Sequence, residues 1–414
     1  MATVALLGTF DTKLDELLFL RDRIERNDGV KALLIDVGWR AVDADAISVT
    51  PTELVSRHGS TQDVSRFARG KYIDFISRCA SRAVKELYQR GEIDGIASAG
   101  GSGGTSIASA IMKDVLPIGF PKLIVSTMAS GDTRAIVGET DIIMINPVVD
   151  VAGLNQILRD VLRNAGAAIG AAALAYAACR LIPGQQELFT PKKRVGVTMF
   201  GVTTPGVNAI RTHLESKYPV ETFVFHATGH GGKAMERLIR DGKLDGAIDL
   251  TTTEICDLVM GGIMSAGDGR LDAAMETGIP CIISLGATDM ANFGPRDSVP
   301  DKYKSRKLLE HNPMVTLVRS SKSDCKQIGE FMLRKLRKAA RPDKVELWIP
   351  KGGVSAIAVP GGPFADLEAD QVTFDVLREG LKGSKIKVVE DERDVNDEGF
   401  ARDIAEALIA AMGV

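Results

Sequence analysis

The chain has 414 residues, 45% of them hydrophobic, with 51 Lys and Arg set against 54 Asp and Glu. That length admits two or three domains, and a formal net charge of -3 leaves no basic surface for nucleic acid, so no nucleic-acid partner is expected. Five scattered cysteines, odd in number and never spaced C-x-x-C, argue against a disulfide framework or a zinc site; with no charged n-region at the start, a cytoplasmic compartment is expected.

Val4–Leu7 reads as a short buried strand running into Gly8-Thr9. The helix after it has Asp11 or Thr12 as its cap, Asp15 and Glu16 in its first turn, and Leu14, Leu17, Leu18 and Ile24 along one face. Ile93–Ala99 is a second apolar strand, followed by Gly100, Gly101, Ser102, Gly103, Gly104 and Thr105 and then a small-residue helix face of Ser106, Ile107, Ala110 and Ile111. Glycines there can take φ > 0 and let backbone N–H groups approach an anion at the positive end of the helix. No Lys-Ser or Lys-Thr follows the last glycine and G-x-G-x-x-G is absent, so this is not a Walker loop or a dinucleotide fingerprint. A third loop, Ser126-Thr127 through Gly131-Asp132-Thr133, follows the strand Lys122–Val125. In an open parallel sheet these three loops gather at the carboxyl ends of the strands, where ligands bind. The uncharged stretch Asn164–Cys179 is too short and too rich in alanine to span a bilayer, so no membrane partner is expected; it suits a helix packed closely between domains or subunits.

Residues 182–194, with Pro183, Gly184 and Pro191, read as a connection between an N-terminal domain, 1–182, and a C-terminal domain, 193–414. The second half repeats the plan of the first. Gly91 through Ile96 returns as Gly242 through Ala247, and Gly119-Phe120-Pro121 with its strand returns as Gly278-Ile279-Pro280 with its own. Strands alternating with helices in both halves give the α/β class: two doubly wound, Rossmann-like parallel-sheet domains on a similar plan. Thr228-Gly229-His230-Gly231-Gly232 is again a glycine loop between strand and helix, which makes a second anion site. His230, Glu254 and Asp289 are the catalytic candidates, as acid/base groups at strand ends. His213 and His311 stand alone, and His226 suits a strand end. Pro350–Ser355 and Pro360–Pro363 read as a lid or a subunit clasp, and Phe400–Met412 as an amphipathic helix capped by Asn396-Asp397.

The ligand that suits the first domain is a nucleotide, with Gly101, Ser102, Gly103, Gly104 and Thr105 around its phosphates and Lys13 as a compensating charge. Thr9, Ser126, Thr127 and Gly131 bring the other two loops to the same place. Asp11 or Asp132 could hold Mg²⁺, with Thr12 or Thr133 nearby as hard oxygen ligands; Asp132 is the metal candidate retained.

Gly8–Lys13, Ala99–Thr105, Ser126–Asp132, Thr228–Gly232 with Ala234–Glu236, Asp249–Glu254 and Gly286–Met290 together give the chain a specific likeness. It resembles, over essentially its whole length, a largely uncharacterised bacterial, fungal and plant family related to the N-terminal ATP-binding region of the tomato mosaic virus resistance protein. That resemblance implies two Rossmann-like subdomains, binding of ATP with Mg²⁺, and a homodimer. Nothing in the chain suggests binding to a viral protein. Two functions follow as expectations: an ATP-dependent enzyme acting on a small anionic metabolite across a cleft between the domains, or a non-catalytic ATP-binding dimeric interaction protein.

Overall fold

The computed structural model describes residues 1–40, 42, 44–59, 64, 66–181 and 192–414. The chain divides into two units, 1–188 and 189–414. The expected connection, 182–194, lies outside the described residues except for 192–194.

The first unit runs β1 (Ala2–Gly8), α1 (Phe10–Ile24), β2 (Val30–Asp36), α2 (Pro51–His58), α3 (Arg69–Gln89), β3 (Gly95–Gly100), α4 (Ser102–Val115), β4 (Lys122–Ser126), α5 (Arg134–Val137), β5 (Ile143–Ile145) and α6 (Gln156–Leu181). Its five strands are all parallel, in the order β2-β1-β3-β4-β5. Every residue of β1 is buried, because alternate side chains enter two different cores. Ala5 and Leu7 join α3 and α4, while Val4 and Leu6 join Leu17 and Leu20 of α1 and Leu162 and Ile169 of α6. The doubly wound fold thus follows from one apolar strand flanked by two layers of helices.

The helix α6 corrects an expectation. It runs 26 residues, long and apolar enough to cross a membrane, and one face of it packs against the core of its own domain. Leu158, Leu162, Ala165 and Ile169 are buried, and its glycines allow α1 to come close. A Cβ at Gly166 would lie 2.5 Å from the Cβ of Arg23, and one at Gly170 would lie 2.2 Å from the Nδ2 of Asn27.

The second unit runs β6 (Lys193–Met199), α7 (Thr204–Lys217), β7 (Val220–His226), α8 (His230–Arg240), β8 (Gly246–Thr251), α9 (Thr253–Met260), α10 (Asp272–Thr277), β9 (Cys281–Gly286), β10 (Met290–Phe293), β11 (Leu308–Asn312), β12 (Val315–Arg319), α11 (Lys322–Leu336), β13 (Val345–Pro350), α12 (Leu367–Gly380), β14 (Lys387–Asp391) and α13 (Glu398–Met412). Six strands form a parallel sheet in the order β14-β13-β9-β8-β6-β7. The first three strands of each domain are therefore wound alike, with the first strand between the second and third. A small antiparallel sheet, β10-β12-β11, is added after β9 and was not expected. Asp397 caps α13 as expected, accepting from the N–H groups of Gly399 and Phe400. Of the two stretches expected as a lid or a subunit clasp, the first is packed, with Val354 and Ser355 fully buried, while Pro360, Gly361 and Pro363 of the second are exposed. Four of the five cysteines, Cys79, Cys256, Cys281 and Cys325, are buried, and Cys179 on α6 is exposed.

Candidate functional site

In the first domain the order β2-β1-β3 places the chain reversal between β1 and β3, so the loops after these two strands part to opposite faces and leave a crevice. A cavity of about 660 Å³ lies there, lined after β1 by Thr9 and the first turn of α1 (Asp11, Thr12 and Lys13) and after β3 by Gly101 and the first turn of α4 (Ser102, Gly103 and Gly104). Eight predicted positions are thereby brought together from stretches about ninety residues apart in sequence.

Each helix start reaches the cavity for its own local reason. Gly101 is the N-cap of α4 and has no side chain to bond the first-turn N–H groups, which leaves the positive helix end without a side-chain partner from its cap. The glycines serve by lacking a Cβ and not by φ: none of Gly100, Gly101, Gly103 and Gly104 has a positive φ. A Cβ at Gly100 or Gly104 would meet nothing within 4 Å, and one at Gly103 would first meet Nη2 of Arg69 at 3.6 Å. In α1 the N-cap is Thr9, so Asp11 does not cap the helix as expected. Its Oδ2 instead accepts from the backbone N–H groups of Trp39 (3.0 Å) and Arg40 (3.2 Å). Its Oδ1 is buried without a hydrogen-bond partner among the described residues. Helical geometry breaks at Lys13 (φ -137°, ψ 33°).

The remaining predicted residues of this domain do not line the cavity. Thr105 is buried and its hydroxyl lies 2.6 Å from that of Ser126, which also accepts from the N–H of Met128. This pair ties the end of β4 to the first turn of α4. Thr127 lies beside Gly101, its Oγ1 3.9 Å from where a Cβ there would be. Gly131, Asp132 and Thr133 lead into α5. The exposed carboxylate of Asp132 is gripped at both oxygens by the Arg134 guanidinium and accepts from the Arg134 N–H. The metal candidate of the sequence is thus a turn-stabilising group outside the cavity, and Asp11 carries the free oxygen.

Sequence reasoning missed Val37, Trp39, Arg40, Arg69, Tyr72, Ile73 and Asp150, which with Ile107 of α4 complete the lining. Trp39 and Arg40 follow β2, so the rule that found the other loops applies to them too. Arg69 and Tyr72 open α3, whose start carried no capping residue; its N-cap is Ala68. Trp39 leans on Tyr72 with ring centroids 4.6 Å apart, and the Tyr72 hydroxyl donates to the Gly38 carbonyl. At the end of β2, buried Asp36 accepts from the N–H groups of Phe10 and Gly38. Burial pushes its pKa up to about 6 against the lowering effect of those bonds, and the neighbouring Asp11 charge adds to the rise.

The second glycine loop has a different outcome. Gly229 (φ +92°) turns the chain into α8, and two of the amide donors there, those of Gly229 and Gly232, are occupied by the protein itself. Glu254 is 1% exposed. Its Oε1 accepts from the N–H groups of Gly229 (2.7 Å) and Gly232 (3.1 Å), and its Oε2 from Nε of Arg270 (2.7 Å). Arg270, equally buried, makes two further bonds to Asp249, and Glu236 at 3.6 Å completes the cluster. Glu254 is therefore the anion of the predicted second anion site, and its catalytic assignment gives way to a structural one. Asp289 is fully buried, accepts from the Ser355 hydroxyl at 3.0 Å, and is pushed up to about 7 by burial, with Arg319 opposing. Its neighbour in character is Asp257, also raised to about 7 by burial and held by Asn292 and the Met264 N–H. His230 alone of the predicted trio is exposed, at the first position of α8. Among the described residues no group of three or more His, Cys, Asp and Glu is arranged to hold a metal.

Two family models cover the chain. Residues 2–178 match the N-terminal domain, and residues 192–412 the C-terminal domain, of the uncharacterised protein family UPF0261. A UPF0261 protein of Clostridium tetani is 42% identical over 99% of this chain and 98% of its own length. The ToMV resistance protein Tm-1(GCR237) of Solanum lycopersicum is 37% identical over 97% of this chain, which spans 55% of the tomato protein. Among solved structures, a UDP-N-acetylglucosamine 2-epimerase from Rickettsia bellii is similar over 68% of this chain and 78% of its own, at 11% identity and a TM-score of 0.22.

Proposed function

Taking as premise that the chain belongs to the UPF0261 family, we propose that its N-terminal domain binds ATP with Mg²⁺ and that the protein works as a nucleotide-binding protein. The observation that carries this reading is the meeting, in one cavity of about 660 Å³, of the α4 N-terminus with three cationic side chains and an aromatic pair. Gly101 through Gly104 would take the phosphates through backbone N–H groups, and Lys13, Arg40 and Arg69 would balance their charge. The Oδ1 of Asp11, buried and without a hydrogen-bond partner among the described residues, fits a Mg²⁺ ion held partly through waters. Such an ion would neutralise phosphate charge, while Asp150 at the same lining adds a second carboxylate.

The choice between turnover and binding turns on the second domain. Glu254 and Asp289 are engaged within the fold, which supports the non-catalytic reading; the ATP-dependent enzyme keeps only exposed His230 in its favour. A homodimer and a cytoplasmic setting belong to the same proposal. Its test is thermal unfolding with and without Mg-ATP. At a hundredfold excess over Kd, a ligand that binds only the native state stabilises by about 2.7 kcal/mol. Lys13→Ala should reduce the shift, and no shift at millimolar Mg-ATP would remove ATP from the proposal.

A further inference from the structure

We infer that Trp39, backed by Tyr72, is the residue that makes the first-domain cavity select a nucleotide over a bare polyphosphate, by stacking on the base. This rests on the nucleotide reading above and deepens it. Trp39 is 42% exposed in the lining of a cavity, where a large part of its indole is left uncovered by the described residues. Its position is nevertheless fixed by two contacts, one of them itself anchored. Its backbone N–H is held by Oδ2 of Asp11, and its ring rests on Tyr72. Tyr72 is itself buried at 5% exposure and anchored through its hydroxyl to the carbonyl of Gly38, the residue just before Trp39. A flexible surface tryptophan has no need of such backing. A stacking platform does, because an aromatic face gains most when it is ordered before the ligand arrives.

The neighbours divide the work. Arg40 and Arg69 flank the aromatic pair in the same lining as Gly101–Gly104, so phosphates and base have separate partners within one cavity. Asp11 links the two parts, since it stands in the first turn of α1 and holds the Trp39 and Arg40 amides. Stacking on a π-face tolerates any base, so the selection is for a base as such, and Tyr72 acts as a positioning residue behind it.

The test compares Mg-ATP with Mg-tripolyphosphate by titration calorimetry. The wild type should bind Mg-ATP the more tightly. Trp39→Ala should weaken Mg-ATP about tenfold or more, the scale of one stacked base, and leave Mg-tripolyphosphate within about twofold; Trp39→Phe should recover most of the loss. Tyr72→Phe, which frees Gly38, should weaken Mg-ATP by a smaller factor with the same indifference of tripolyphosphate. Equal losses for both ligands, or none, would overturn the stacking role while leaving the nucleotide site standing. Binding of neither ligand to the wild type would instead remove the nucleotide site itself. The wild type supplies an independent readout, because the chain has two tryptophans and Trp348 is buried at 7% exposure. Mg-ATP should change the emission of Trp39 and tripolyphosphate should not; the absence of any Mg-ATP-specific change would overturn the inference even where a variant failed to fold.

Discussion

The two glycine loops of this protein are written alike and used differently. Gly100–Gly104 and Gly229–Gly232 each follow a parallel strand and open a helix, yet the first faces a cavity while the second is occupied by the carboxylate of Glu254. A helix N-terminus attracts an anion for the same physical reason in both places. What differs is who supplies it. In the second domain the anion is built in, and the charge brought with it is met by Arg270 in a cluster that also holds Asp249. Glycine density therefore marks where backbone comes close to negative charge, and the rest of the fold decides whether that charge is a ligand.

The largest test of this contrast is Gly232→Ala. A Cβ there would stand 1.9 Å from Oε2 of Glu254 and 2.7 Å from Nε of Arg270, so the buried ion cluster must break; a loss of about 3–5 kcal/mol is expected in urea unfolding. Gly104→Ala is the matched control, with open space at the Cβ, and should stay within about 1 kcal/mol of wild type. Next in size is Glu254→Gln, which keeps the shape but removes the charge facing Arg270. It should cost about 3 kcal/mol of stability and leave the Mg-ATP shift unchanged, whereas a stable but inactive variant would restore Glu254 to catalysis. Gly103→Val comes third: its branches would fill the space toward Arg69 and Ile73, and the ~2.7 kcal/mol of ATP stabilisation should vanish from a protein that still folds.

The smallest expected effect is on pH. Asp36, at about 6, and Asp289, at about 7, both stand above the 3.8 of an exposed aspartate. Each therefore keeps a proton in the folded chain that it loses in the unfolded one, so its contribution is full below about pH 4 and is lost as pH rises through 6 or 7. Asp289→Asn should flatten that decline up to neutral pH, and Asp36→Asn only its acidic part, each by on the order of 1 kcal/mol. Unfolding midpoints measured from pH 5 to 8 would check both, and a decline untouched by either variant would place the titrating groups elsewhere.

The sheets were legible because parallel strands buried on both faces leave short apolar runs such as Ile93–Ala99, and because glycine and hydroxyl residues collect at their carboxyl ends. Half of the first-domain lining was legible for the same reason. Arg69 and Tyr72 were hidden because nothing local says which helix start will face a loop thirty residues earlier. Glu254 was misread because its partners, Gly229 and Gly232, lie more than twenty residues away, and a carboxylate at a strand end looks the same in sequence whether it meets solvent or a buried guanidinium. The sheet β10-β12-β11 escaped because its strands are four or five residues long, too short to show a period.

The cysteines carry a consequence of their own. Burial raises the thiols of Cys79, Cys256, Cys281 and Cys325 above their ordinary range, while Cys179 stands exposed on α6, so an alkylating reagent meets a single ready thiol on the folded chain. The others become reactive only as a core opens, Cys79 with the first domain and Cys256 and Cys281 with the second. The order in which their peptides pick up label under mild denaturant would tell, with no tag added, which half of the protein comes apart first.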